Sequence, residues 1–459
     1  MNVDLLIVNG YVLTMEDESN QLIENGAVAI IGQTIEAVGK SDDLRANYHA
    51  ERIIDANNQL IMPGLIDSHI HTGLAILRGV AQDMSHWMQK GIWPFMKHVT
   101  KEERIKGSLV NILEGIKAGT TTFADYDTDM QDIVQHYVKI GARACVAEMV
   151  NEMPDDIDDL SVGELYPLDA KVGEQKLQKN VDLIERYHGA EDGRITCMLG
   201  PQGADMLSLN RMKQIADLAE TYDTKLHMHV AQGDREIEQM EKRYDLRTIP
   251  FLEREGFLNE RLIAVHLTEA TKKETEKAAH SGASMICCPG SIGIIDGIVP
   301  PMYSFLQAGG TASLGSDQAP GNNSNNMFNE MKFAAIVNKV KYQDPAVFPA
   351  ELALRAATIE AAKVLGIDHE VGSLEKGKKA DIIVINFQEP SLSPVITKPT
   401  SNVIPNLVYS ARGHEVETSI IDGKVVMEHR QIVTASEEQV VKDAQEAANG
   451  LAKRVSKKV

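Results

Sequence analysis

A chain of 459 residues with 43% hydrophobic and 24% charged residues is long enough to bury a large core, and it contains no low-complexity tract. Its net charge of −20 is dispersed, with no block of Lys and Arg that would track a phosphate backbone, so nucleic acid and anionic membrane are excluded as expected partners. The amino terminus, MNVDLLIVNGYV, lacks a basic segment followed by a long apolar run, and no stretch reaches about 18 apolar residues, so the expected compartment is the cytoplasm.

Elements of β type come first: Leu5 to Val8, Tyr11 to Leu13, Gly26 to Ile31 and Thr34 to Gly39, broken at Asn9-Gly10 and Gly32-Gln33. The same pattern returns in Ala380 to Asn386 and Thr418 to Val426. The expectation is a small β-sandwich domain assembled from residues 1–59 and 367–435. Between these, residues 60–366 alternate short apolar runs with stretches of helical spacing, the pattern of βα units with parallel strands. Eight candidate strands are Leu60 to His71, Gly119 to Tyr126, Arg143 to Val150, Arg194 to Gln202, Lys225 to Gln232, Arg261 to Thr268, Ala283 to Ser291 and Thr311 to Ala319. Eight closes a (β/α)8 TIM barrel, whose chemistry sits at the C-terminal strand ends, so the predicted fold class is α/β. The tail 436–459 reads as a closing amphipathic helix, with Ser436 as N-cap and Glu437 and Glu438 in its first turn.

Chemistry concentrates at the strand ends. His69 and His71 alternate on one strand, so both imidazoles face the interior and can serve one metal. His227 and His229 repeat the spacing on the fifth strand, His266 ends the sixth and Asp317 the eighth. Imidazoles and a carboxylate form a borderline N/O donor set suited to zinc, or to iron or manganese. The four cysteines, Cys145, Cys197, Cys287 and Cys288, lie in apolar runs without a CxxC pair and read as reduced core residues. Trp87, with His86, falls in the loop after the first strand, and Glu148 ends the third; each could contact a substrate or serve only as surface or ion-pair structure.

The run PGLIDSHIH, LRG at Leu77 to Gly79, Ile92-Trp93-Pro94, AGTTTFAD at Ala118 to Asp125, and His229, His266 and the GSD ending in Asp317 carry a resemblance. With GSLEKGKKADIIV and IIDGKVV near the end, they resemble the amidohydrolase superfamily over nearly the whole chain. The branch that looks most similar contains methylthioadenosine and S-adenosylhomocysteine deaminases, guanine deaminase and the triazine hydrolases. The resemblance implies one divalent metal per subunit, most simply Zn²⁺, held by His69, His71, His229 and Asp317. It implies that His266 hydrogen-bonds the attacking water or the developing oxyanion, and that Asp317 also accepts the water's proton. It suggests a small-molecule substrate and a homodimer or larger homo-oligomer.

One position departs from the pattern. Deaminases of this branch carry a proton-donating glutamate three residues after the fifth-strand metal histidine, and here Gln232 stands there. An amide can hold a ring nitrogen but cannot protonate it at neutral pH. Three routes stay open: Asp317 shuttles both protons, Asp205 or Asp234 substitutes, or the substrate needs no ring protonation. The expected function is an aminohydrolase or deaminase-type enzyme on a C–N bond of a small N-heterocycle, with Gln232, His227, Asp205, Trp87 and Glu148 as candidate substrate contacts. The alternatives are an amide or chlorohydrolase, or a catalytically silent metal-binding scaffold.

Overall fold

The computed structural model describes residues 1–17, 22–154, 160–161 and 163–456. Strands from both ends of the chain form one nine-stranded sheet. The long first strand, Asn2–Leu13, pairs antiparallel with Leu22–Ile31 and parallel with His49–Asp55 and Leu60–Pro63. Leu60–Pro63 then pairs with Ile382–Ile385, which continues through Val416–Ile421, Lys424–Glu428 and Gln431–Ile432. The turn expected at Asn9-Gly10 is instead a bulge inside one strand. Asn9 takes φ 60° and the register shifts between Ile7 and Gly10 while pairing resumes beyond.

The middle of the chain is mixed α/β with parallel sheets. Leu65–His71, Thr120–Asp127 and Arg143–Val150 pair in parallel, followed by the short pieces Ile195–Cys197 and Gly200–Pro201. A second parallel set runs Leu226–Val230, Leu262–His266, Ser284–Cys287 and Ala312–Leu314. Leu199 bridges in parallel to Leu226, and Asp317–Gln318 pairs with Ile70 and His71. All eight candidate runs contain parallel strand, but the first is two strands divided at Gly64: Leu60–Pro63 belongs to the terminal sheet and only Leu65–His71 carries histidines to the site. The approach at the divide is close, because a Cβ on Gly64 would fall 2.1 Å from Thr121 Oγ1. Gly315 is equally confined, since a Cβ there would lie 2.8 Å from the His69 backbone.

The terminal sheet is fastened to the parallel strands by Arg143. Its guanidinium, 2% exposed, bonds Asp381 at 2.7 and 3.1 Å and Asp422 at 3.3 Å. The final helix, Glu437–Ser456, packs on Lys101–Lys117, with Lys117 bonding Glu437 at 2.7 Å and Arg454 paired to Glu103. Ser436 Oγ accepts from Gln439 N at 3.4 Å, in the manner expected of an N-cap. The four cysteines are free and buried, and burial pushes the Cys145 thiol up to about 11, leaving it an inert core group at neutral pH. Among the described residues no helix is long and apolar enough to cross a membrane.

Candidate metal centre

Four strand ends from the two parallel sets deliver the histidines and the aspartate to one place. His69, His229 and His266 form one group whose donor atoms lie within 4.8 Å of one another, and His69, His71 and Asp317 form another. Asp317 Oδ1 stands 3.6 Å from His69 Nε2 and 3.5 Å from His71 Nε2. His266 thus joins the cluster more closely than a purely peripheral role requires. His266 and Asp317 hold their positions with φ of 79° and 60°, a region costly for residues with a Cβ and often met at functional sites.

The hydrogen bonds behind the rings decide which nitrogens are free. The carbonyl of Gln202 can only accept, so His229 Nδ1, 3.0 Å away, carries the proton and Nε2 is left with a lone pair. His69 Nδ1 bonds His227 Nε2 at 2.7 Å; with Nδ1 as donor, His69 Nε2 is also unprotonated. These two Nε2 atoms face each other at 3.2 Å. The separation suits two nitrogens that share a tetrahedral cation, which at about 2.0–2.1 Å from each lie roughly 3.3 Å apart. The site therefore fits a metal ion.

Electrostatics agree with that fit. Burial first, then the neighbouring rings, holds His69 and His229 well below the ordinary imidazole range. Burial lowers His227 to about 3 and His266 to about 4. Neutral imidazole is the ligating form. His71 Nδ1 and both nitrogens of His266 are buried without a partner, an unsatisfied state that an added ligand would relieve.

The cluster opens into a cavity of about 720 Å³, which His71, His229, Asp317, Trp87, Asp205 and Gln232 help to line. Trp87 is anchored by its Nε1, which donates to Asp296 at 3.1 Å. Asp205 is held by Arg235 at 3.0 Å, so its carboxylate already has a partner. Asp234 is exposed and does not reach the cavity. Two candidate contacts are placed elsewhere. Glu148 turns away and accepts Asp129 N at 3.2 Å and Met130 N at 2.8 Å, capping the helix Met130–Ile140. His227 lies behind His69, stacked on Tyr126 with ring centroids 5.2 Å apart, and holds His69 without lining the cavity. His86 is exposed and outside the lining.

Comparison with known proteins bears on this geometry. The amidohydrolase family model matches residues 60–426. The chain belongs to the amidohydrolase family. It is 32% identical to the 5'-deoxyadenosine deaminase of Methanococcoides burtonii, over 99% of each chain. It is also 32% identical to the 5-methylthioadenosine/S-adenosylhomocysteine deaminase of Thermoanaerobacter pseudethanolicus, over 98% of this chain and all of that one. An adenosine deaminase from Xanthomonas campestris with bound zinc superposes with a TM-score of 0.89 at 27% identity, covering 98% and 99% of the two chains. This member of the amidohydrolase family is a metal-dependent hydrolase of carbon–nitrogen bonds other than peptide bonds, acting on a small molecule.

Three supporting residues escaped the sequence reading. Asp67 accepts from Ser316 N at 2.9 Å and from the Ser316 hydroxyl, tying the strand Leu65–His71 to the loop before Asp317. Its signal was available, since positions 67, 69 and 71 alternate onto one face. Ser291 Oγ donates to Asp317 Oδ2 at 2.5 Å, and Asn325 Nδ2 donates to the Asp317 carbonyl at 3.2 Å. No local pattern announces either one.

Proposed function

We propose that the protein is an aminohydrolase of a neutral amino-substituted N-heterocycle, with one zinc ion per subunit held by His69, His71, His229 and Asp317. The observation that carries the ligand assignment is the approach of His69 Nε2 and His229 Nε2 to 3.2 Å, beside an aspartate whose second oxygen is fixed by Ser291. The deaminase names of relatives 32% identical over nearly the whole chain support the substrate class. On this reading the eight parallel runs act as one (β/α)8 barrel, the terminal strands as a separate sandwich domain with the boundaries expected from sequence, and the working form is a cytoplasmic homo-oligomer.

A bound zinc ion supplies Lewis acidity, making water a nucleophile at neutral pH. The chain's own residues do the rest. Asp317 Oδ1 takes the proton from the attacking water and passes it to the departing amine, which leaves as ammonia, while the Ser291 hydroxyl keeps the carboxylate from rotating. His266, neutral and unpartnered at both nitrogens, is placed to steady the developing oxyanion. Gln232 holds the ring by hydrogen bonding without protonating it. Trp87, Trp93, Met153 and Met206, which line the cavity, cover the heterocycle's faces.

Gln232 favours a second reading, hydrolysis of a substrate whose leaving group needs no ring protonation. One experiment separates the two. Metal-loaded enzyme is offered 5'-deoxyadenosine and a panel of amino- and chloro-substituted purines, pyrimidines and triazines, with ammonia and chloride measured together. Ammonia supports the aminohydrolase; chloride without ammonia supports the second reading; neither product from a metal-replete enzyme would reject both.

A further inference from the structure

Arg235 lines the same cavity from the first turn of the helix Gly233–Tyr244, whose N-cap is Gln232. The N-cap and the third helical residue are the positions that meet in a capping box, so these two side chains are neighbours. Burial is the largest influence on the Arg235 guanidinium, and Asp205 and Tyr166 keep it charged. The side chain is nonetheless 20% exposed, and for a group held so deep that opening is the cavity. Nη1 makes both of its protein contacts, to Asp205 Oδ2 at 3.0 Å and to the Tyr166 hydroxyl at 3.1 Å. Nε and Nη2 donate to none of the described residues, and they are not sealed from solvent as the Nε of Arg243 is on the same helix. A guanidinium fixed through one nitrogen and open at the other two offers the cavity a rigid pair of charged donors.

We propose that Arg235 is a catalytic residue, whose Nε and Nη2 donors hold the negative charge that attack by water builds on a ring nitrogen of the substrate. This rests on the aminohydrolase reading and supplies what Gln232 cannot. As the water oxygen bonds the carbon that bears the amino group, its proton passes to Asp317 and the C=N electron pair moves onto the adjacent ring nitrogen. An acid would protonate that nitrogen. A guanidinium keeps its proton at neutral pH and instead steadies the anion through charge-assisted hydrogen bonds, which strengthen as the charge develops. The pair then returns to re-form the C=N bond, and the amino group departs with the proton from Asp317 as ammonia. Hydrolysis on this route needs no ring-protonating acid.

The test is a calorimetric titration of metal-loaded protein with barbiturate, a ring-delocalised anion at neutral pH, and with uracil, its neutral near-isostere, bound metal being measured in every sample. Wild type is expected to favour barbiturate by at least about tenfold, the scale of a hydrogen bond to a charged group. In Arg235→Lys the single ammonium stays with Asp205, so fold and metal should persist while the preference shrinks by about tenfold. Asp205→Asn/Arg235→Met leaves no carboxylate unpaired and should show the same loss, so a folding defect in one variant does not decide the outcome. The proposal is overturned by wild type that binds neither probe or shows no preference, by a preference retained in both variants, or by a loss that tracks loss of metal. No product is measured, so the aminohydrolase reading fails or passes on its own panel and this assignment on its own titration.

Discussion

At the scale of single residues, the centre depends on atoms whose second partners are fixed. Asp317 has one oxygen toward His69 and His71 and the other on Ser291. Asp317→Asn removes a proton acceptor and one anionic donor together, so bound metal should fall and kcat should drop at least about a hundredfold. Metal analysis alongside turnover checks this, and a metal-replete variant with wild-type rate would refute the assignment. Gln232 is different, because an amide lining the cavity cannot deliver a proton at neutral pH. Gln232→Ala should raise KM by about tenfold with kcat nearly unchanged, while a hundredfold loss of kcat would move Gln232 into transition-state stabilisation.

At the scale of elements, Glu148 shows what burial does to a capping carboxylate. Burial raises it from 4.5 to about 7, against the pull of the backbone N–H groups of Met130 and Asp129. Between these values the folded protein keeps a proton that the unfolded chain has released, so this group's contribution to stability falls as pH rises from about 4.5 to 7. Glu148→Gln should flatten that part of the profile, measured as the denaturant midpoint at half-unit pH steps; an unchanged slope would reject it. The strand periodicity was legible here because alternation is local: His69 and His71, and His227 and His229, announce inward faces by spacing alone. What Glu148 does there was not legible, since its partners Asp129 and Met130 belong to a separate helix. Similarly, the expected turn at Asn9-Gly10 became a bulge because pairing with Leu22–Ile31 continues on both sides of it.

At the scale of the whole molecule, Arg143 joins the two parts of the structure. It lies on a parallel strand and bonds Asp381 and Asp422, which belong to the terminal sheet region. Those carboxylates together offset the burial of the guanidinium and keep it charged. Arg143→Met would leave the buried Asp381 without its cation, while Asp422 keeps Lys379 at 3.7 Å and Arg194 at 3.9 Å, at a cost of about 3–5 kcal/mol. Chemical denaturation should show the loss, and a variant within about 1 kcal/mol of wild type would show that the network contributes little to cohesion.

The pairing of Leu60–Pro63 with Ile382–Ile385 also carries a constraint in time. The first sheet strands leave the ribosome with one edge open, and their partner is more than three hundred residues away. At 5–20 residues per second, that edge waits roughly 15 s to a minute before it can be covered. Throughout that interval it offers unpaired backbone groups to any other extended chain. The nascent protein is thus most exposed to aggregation while its terminal sheet is half made, so slower synthesis or early truncation should harm it more than loss of the final helix.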